Sequence, residues 1–215
     1  MELDLQKIVQ ERLDSDQYNH EEHPKRQIYL HHTAGGPSAT NVAKFFNSQP
    51  GRVATAFIIG AKGTIVQCFS SKHWAYHLGL NQEVFTEAGV PYQSLDKISI
   101  GIEICNYGPL IKRNGYYYNY VGGKVDYTKV TFLDQKYKGH IYWQSYTDAQ
   151  IESTRQLLVY LCDTYSIPRT YFTSIFDIDK RALQGDRGIF THNSVRKDKS
   201  DIYPCPRMIA MLEAL

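Results

Sequence analysis

The stretch at residues 98–106, ISIGIEICN, constrains this chain more than any other. Its isoleucines at 100, 102 and 104 alternate with Gly101, Glu103 and Cys105. Apolar β-branched residues at every second position predict a central strand with its isoleucines in a core. The same alternation turns Glu103 to the other face. A carboxylate on a central strand is costly to bury alone, so Glu103 must meet a cleft, a cation or a hydrogen-bond donor.

Other runs fit around that strand. QIYLHHT, residues 27–33, reads as a buried strand ending in polar residues. AGGPSAT follows as a turn, with Ser38 or Thr40 as the cap of a helix over 42–47. Residues 53–60 and 64–69 flank Gly60-Ala61-Lys62-Gly63 and predict a hairpin. The best helix is 148–167, capped by Thr147 or Asp148 and stopped by Pro168. Residues 188–192 read as a short strand and 208–215 as a closing helix. Residues 107–146 are rich in Tyr and Gly and carry no helical period, so they read as a hairpin or a long excursion. At the N-terminus, Leu3, Leu5, Ile8, Val9 and Leu13 are loosely helix-spaced. They predict a short amphipathic helix over 2–13, joined by a polar connector, with 1–26 packed on a domain at 27–215. Strands and helices mixed around one sheet give an α/β class: a single domain with a mixed central sheet flanked by helices. A chain of 215 residues is long enough to build such a core without disulfide or metal staples.

Composition narrows function. Lys+Arg is 24 and Asp+Glu is 22, too balanced for a protein that binds nucleic acid by neutralising phosphates. No apolar run approaches the ~20 residues a membrane helix needs. The N-terminus lacks a basic segment followed by an apolar one, so no secretory signal is expected. The four cysteines, at 68, 105, 162 and 205, are too scattered for a disulfide framework. Cys68 and Cys162 read as inert buried thiols. The 17 tyrosines suit a β-rich core and also surfaces that stack on sugars or peptides.

Four residues fall at the edges of elements: His31 and His32 at one strand end, His192 at another, and Cys205 in a Pro-Cys-Pro turn. Strand ends and rigid turns hold side chains in a cleft on a fixed backbone. Two imidazoles and a thiolate make a donor set suited to Zn²⁺, with the fourth tetrahedral position left open. Their separations do not form a compact ligand motif, and each alone is as consistent with a structural residue.

QIYLHHTAGG, VATAFIIGAKGTIVQ, WAYHLG, ISIGIEICN and THNSV…YPCP, taken in order, resemble the motif series of the zinc-dependent N-acetylmuramoyl-L-alanine amidases, a family that includes phage lysozyme-type amidases and peptidoglycan recognition proteins. The resemblance runs from about Gln27 to Pro206. It implies a zinc held by His31, His192 and Cys205, with Asp201 as the alternative third ligand. The 13-residue step from His192 to Cys205 is longer than the family's usual one. Glu103 matches the acidic residue beside the reacting water. Where some members carry a catalytic Tyr, this chain has Thr55. Where members place Lys or Thr two residues before the third ligand, it has Tyr203, so Tyr203 is the expected oxyanion donor and Lys199 the alternative. His32, Thr33, Trp74, His77 and Asn106 are expected to border the substrate.

The resemblance thus implies a hydrolase of the amide between N-acetylmuramic acid and L-alanine of peptidoglycan; the sequence does not read out an oligomeric state, and a monomer is expected. It would be made in the cytoplasm and would act on the bacterial wall as a phage lysin or a delivered enzyme. Two other readings remain at this point: a non-catalytic muropeptide-binding module, and a zinc hydrolase of another amide on the same scaffold.

Overall fold

A computed structural model describes residues 2–215. Its centre is a six-stranded mixed sheet. The strands are β1 (Val9–Gln10), β2 (Gln27–His32), β3 (Phe57–Ile59), β4 (Ile65–Gln67), β5 (Ser99–Ile104) and, late in the chain, β11 (Gly188–Thr191), in the order β1-β4-β3-β5-β2-β11. β3 and β4 form the expected antiparallel hairpin, and β3, β5, β2 and β11 run parallel. Every residue of β2 is buried, as a strand covered on both faces requires.

Helix α1 (Ala39–Ser48) starts at Ser38, whose side chain accepts from Asn41 N. The long helix α4 (Asp148–Tyr165) has Thr147 as its cap in a reciprocal capping box with Gln150, and it buries Leu157, Leu158 and Leu161. Helix α6 (Pro206–Glu213) carries Pro at its first turn and packs Met208, Met211 and Leu212 inward. Between them lie three short helices that the sequence pattern did not signal: α2 (Gln82–Ala88), α3 (Leu95–Ile98) and α5 (Lys180–Leu183). They are too short to display a full apolar period.

The excursion at 107–146 forms two small sheets. β6 (Ile111–Arg113), β7 (Tyr116–Tyr118) and β8 (Lys124–Val125) make a three-stranded meander, and β9 (Val130–Tyr137) pairs with β10 (His140–Gln144). Leu110, Tyr117 and Val130 give it a small core of its own.

The N-terminal segment departs from expectation. Instead of a helix, Leu5–Lys7 makes one 3₁₀ turn, and Val9–Gln10 then pairs with β4 as the edge strand of the sheet. The open edge of β4 supplies backbone partners that outweigh a loose helical spacing, and Leu5 and Val9 stay exposed.

Candidate active site

The parallel register sets His31 on β2 beside Glu103 on β5, so the two side chains leave the sheet on one face. β11 lies on the other side of β2, and the chain leaves it into a 3₁₀ turn that begins with His192. A loop returns Asp201 to the same point. His31 Nδ1 lies 3.1 Å from His192 Nδ1, and Asp201 Oδ2 lies 3.2 Å from the first and 3.0 Å from the second. Among the described residues these three form a group able to hold a metal ion.

The protons on this cluster can be placed. His192 Nε2 is 3.0 Å from the carbonyl oxygen of Leu78, which only accepts, so the proton sits on Nε2 and Nδ1 presents a lone pair. His31 Nε2 is 3.0 Å from His77 Nδ1. Burial lowers the His31 ring to about 4, so it is neutral at ordinary pH. Burial alone would raise the Asp201 carboxyl, but the His192 and His31 rings against it outweigh that and hold the group well below the usual carboxylate range. Two imidazole nitrogens and an ionised carboxylate therefore converge on one point. Tetrahedral zinc ligands at about 2.0–2.1 Å from the ion stand ~3.3 Å from one another, close to the spacing found. The donor set fits Zn²⁺ and leaves a fourth position for water or substrate.

Glu103 completes the centre. It borders a cleft of about 350 Å³ together with His31, His32, His77, His192, Lys199 and Asp201. One of its carboxylate oxygens, Oε2, is buried without a hydrogen-bond partner. Burial first, and then the Asp201 charge, push its pKa well above the ordinary value, partly offset by Lys199. A raised, unpartnered carboxyl facing a cleft is what a group that takes and returns a proton requires. On its other side Glu103 borders a second cavity of about 500 Å³, lined by residues 33–38, Asn41, Val42, Phe45, Phe46 and Tyr120.

A family profile described as N-acetylmuramoyl-L-alanine amidase matches residues 21–206. The chain belongs to that family. It is a hydrolase of the amide between N-acetylmuramic acid and L-alanine in peptidoglycan. The fold is shared with solved structures of low identity. PlyL matches with a TM-score of 0.55 at 14% identity, over 96% of each chain. A mutant endolysin from Bacillus subtilis matches with a TM-score of 0.53 at 16% identity, also over 96% of each chain. AmpD matches with a TM-score of 0.50 at 17% identity, over 98% of this chain and 99% of its own. No curated protein matches the sequence.

The amidase does not assemble every residue expected at its site. Cys205 is not part of the donor group; it is buried at the N-cap of α6, two residues after Tyr203. Asp201 stands in the position expected of Cys205. The step from His192 to Asp201 is nine residues, and Lys199 lies two residues before this carboxylate. The spacing from His192 is the sequence signal that separates Asp201 from Cys205.

Tyr203 is not free to donate to an oxyanion. It is fully buried, stacked between Trp143 and Tyr146, and its hydroxyl donates to Gln144 O at 2.8 Å. Lys199, by contrast, borders the cleft. Asn106 is structural: its Nδ2 donates to Gln144 O and its Oδ1 accepts from Gly108 N, tying the end of β5 to the excursion. Trp74 is buried under the Lys97 ammonium and packs edge-on with Tyr76, outside the lining of the cleft. Thr33 borders the larger cavity and accepts from Asn106 N. His32 borders the cleft while its ring packs toward Trp143 and Tyr146. His77 also borders the cleft, but both ring nitrogens are engaged within the protein, at His31 Nε2 and Ser99 Oγ.

Proposed function

We propose that this amidase is a zinc enzyme. His31 Nδ1, His192 Nδ1 and Asp201 hold the ion, Glu103 is the general base and acid, and Lys199 is the donor to the oxyanion. The observation that carries this reading is the convergence of three acceptor atoms beside the unpartnered carboxylate of Glu103. Acceptors with no proton between them repel unless a cation joins them.

When bound, Zn²⁺ supplies Lewis acidity: it brings the ionisation of water from ~15.7 toward ~7 and polarises the scissile carbonyl. The protein does the rest. Glu103 takes a proton from the attacking water as oxygen bonds to the lactoyl carbonyl carbon. Lys199 faces the cleft and donates to the oxygen on which charge develops. Glu103 then returns its proton to the amide nitrogen as the carbon–nitrogen bond breaks. The amine of L-alanine leaves neutral, and the lactoyl group is released as a carboxylic acid that gives its remaining proton to solvent. Without that proton the nitrogen would be too poor a leaving group.

The reading extends to a role as a wall-lysing enzyme, supported by the endolysin among the structures that share the fold. Among the described residues no helix is long and apolar enough to cross a membrane.

Glu103→Gln is the test. The variant is expected to keep one equivalent of metal by elemental analysis. Its release of L-alanine amino termini from purified wall should fall by about 10²–10⁴-fold. Near-full turnover would remove Glu103 from the mechanism. A wild-type digest without new L-alanine termini would favour a different amide as substrate.

A further inference from the structure

The two metal histidines are held from behind by consecutive residues of one loop. His77 places its Nδ1 3.0 Å from His31 Nε2, and Leu78 places its carbonyl 3.0 Å from His192 Nε2. That loop is pinned in turn. The backbone N–H groups of His77 and Leu78 both donate to Asp96 Oδ1, at 2.9 and 3.1 Å. The His77 ring lies over Gly101, where a Cβ would come within 3.1 Å of it, and stands edge-on to both Tyr29 and His31. Its far nitrogen, Nε2, is 2.9 Å from Ser99 Oγ.

Leu78 O can only accept, so it fixes the tautomer of His192. His31 has no carbonyl behind it. It can present a lone pair at Nδ1 only if Nε2 carries the proton and a neighbour accepts it. His77 Nδ1 is that neighbour, and it accepts when the His77 proton sits on Nε2 and points at Ser99 Oγ. Backing partners of this kind orient ligand histidines and raise their basicity.

We propose that His77 is a positioning residue for the metal. Through the chain Ser99–His77–His31 it holds His31 in the tautomer that offers Nδ1 to the ion, rather than contacting the substrate. This rests on the metal reading given above. The test measures zinc affinity by competition with a chelating dye for the wild type, His77→Ala and His77→Asn, with the melting temperature of each metal-free protein measured alongside. Asn carries an acceptor near the position of the imidazole Nδ1. The Ala variant should bind zinc about 10–100-fold more weakly. The Asn variant should recover most of that loss, with similar melting temperatures among the folded proteins. In the zinc-loaded wild type, long-range ¹⁵N–¹H correlation should find the His31 proton on Nε2.

Equal zinc affinity in wild type and His77→Ala overturns the proposal and leaves the metal reading intact. So does an Asn variant as weak as Ala, or a His31 protonated on Nδ1 in the loaded protein. A wild type that takes up no zinc overturns the metal site itself and this proposal with it. Should the Ala variant fail to fold, the Asn variant and the wild-type spectrum still decide.

Discussion

Glu103 concentrates the conflict between folding and function in one side chain. Its folded pKa lies well above the ordinary value because burial and the Asp201 charge both disfavour ionisation. A carboxyl raised in this way binds its proton more tightly folded than unfolded. Its contribution to stability is therefore full below the unfolded value of about 4.3 and is lost as pH rises through the folded one. In the metal-free protein, Glu103→Gln should be about as stable as the wild type at pH 4. It should gain roughly 1–2 kcal/mol relative to it at pH 8, read from urea midpoints. A difference that does not grow with pH would mean that the carboxylate is not strained in the fold. The places of His31, His192 and Glu103 in the fold were legible because strand ends and strand alternation place side chains without knowledge of the loops. The choice between Asp201 and Cys205 stayed open, with only the spacing from His192 to separate them, because both lie on one irregular segment where no period tells which side chain turns inward.

At the scale of elements, the register between β2 and β5 builds the site, and Gly101 is the position where that register leaves least room. A Cβ there would stand 2.7 Å from Thr55 Cγ2 and 3.1 Å from the His77 ring. Gly101→Ala should cost about 1–3 kcal/mol in chemical denaturation, the usual range for overpacking a filled core. It should also weaken zinc binding, because His77 has nowhere else to go. A fully stable variant would mean that the β5–His77 contact is looser than described. Strands β2 to β5, α1, α4 and α6 were all readable, since each has a period, a cap or a turn of its own. The first segment was misread because five apolar residues spaced almost as a helix also suit a strand whose partner, β4, lies more than fifty residues away. Pairing of that kind leaves no local mark.

For the whole molecule, the proposed metal would join parts that the chain keeps far apart: β2 near the start, and the β11 turn and Asp201 near the end. A ligand that binds only the folded state stabilises it by RT ln(1 + [L]/Kd), about 2.7 kcal/mol at a hundredfold excess over Kd. Removing metal with a chelator should lower the melting temperature by several degrees and abolish cleavage of the wall, and added Zn²⁺ should restore both. Loss of activity with an unchanged melting temperature would separate the ion from the fold. The excursion at 107–146 carries Tyr120 to the rim of the larger cavity, where its hydroxyl donates to Ala34 O. The sequence showed this region as rich in Tyr and Gly but not as two sheets, because β6, β7 and β8 are only two or three residues long and the strands pair largely with one another.

The account turns on which atoms surround the ion. X-ray absorption fine structure of the zinc-loaded protein reads them directly. A first shell of nitrogen and oxygen at about 2.0–2.1 Å, with no scatterer at sulfur distance, is the predicted result. A sulfur near 2.3 Å would put Cys205 in place of Asp201 and contradict the site as described.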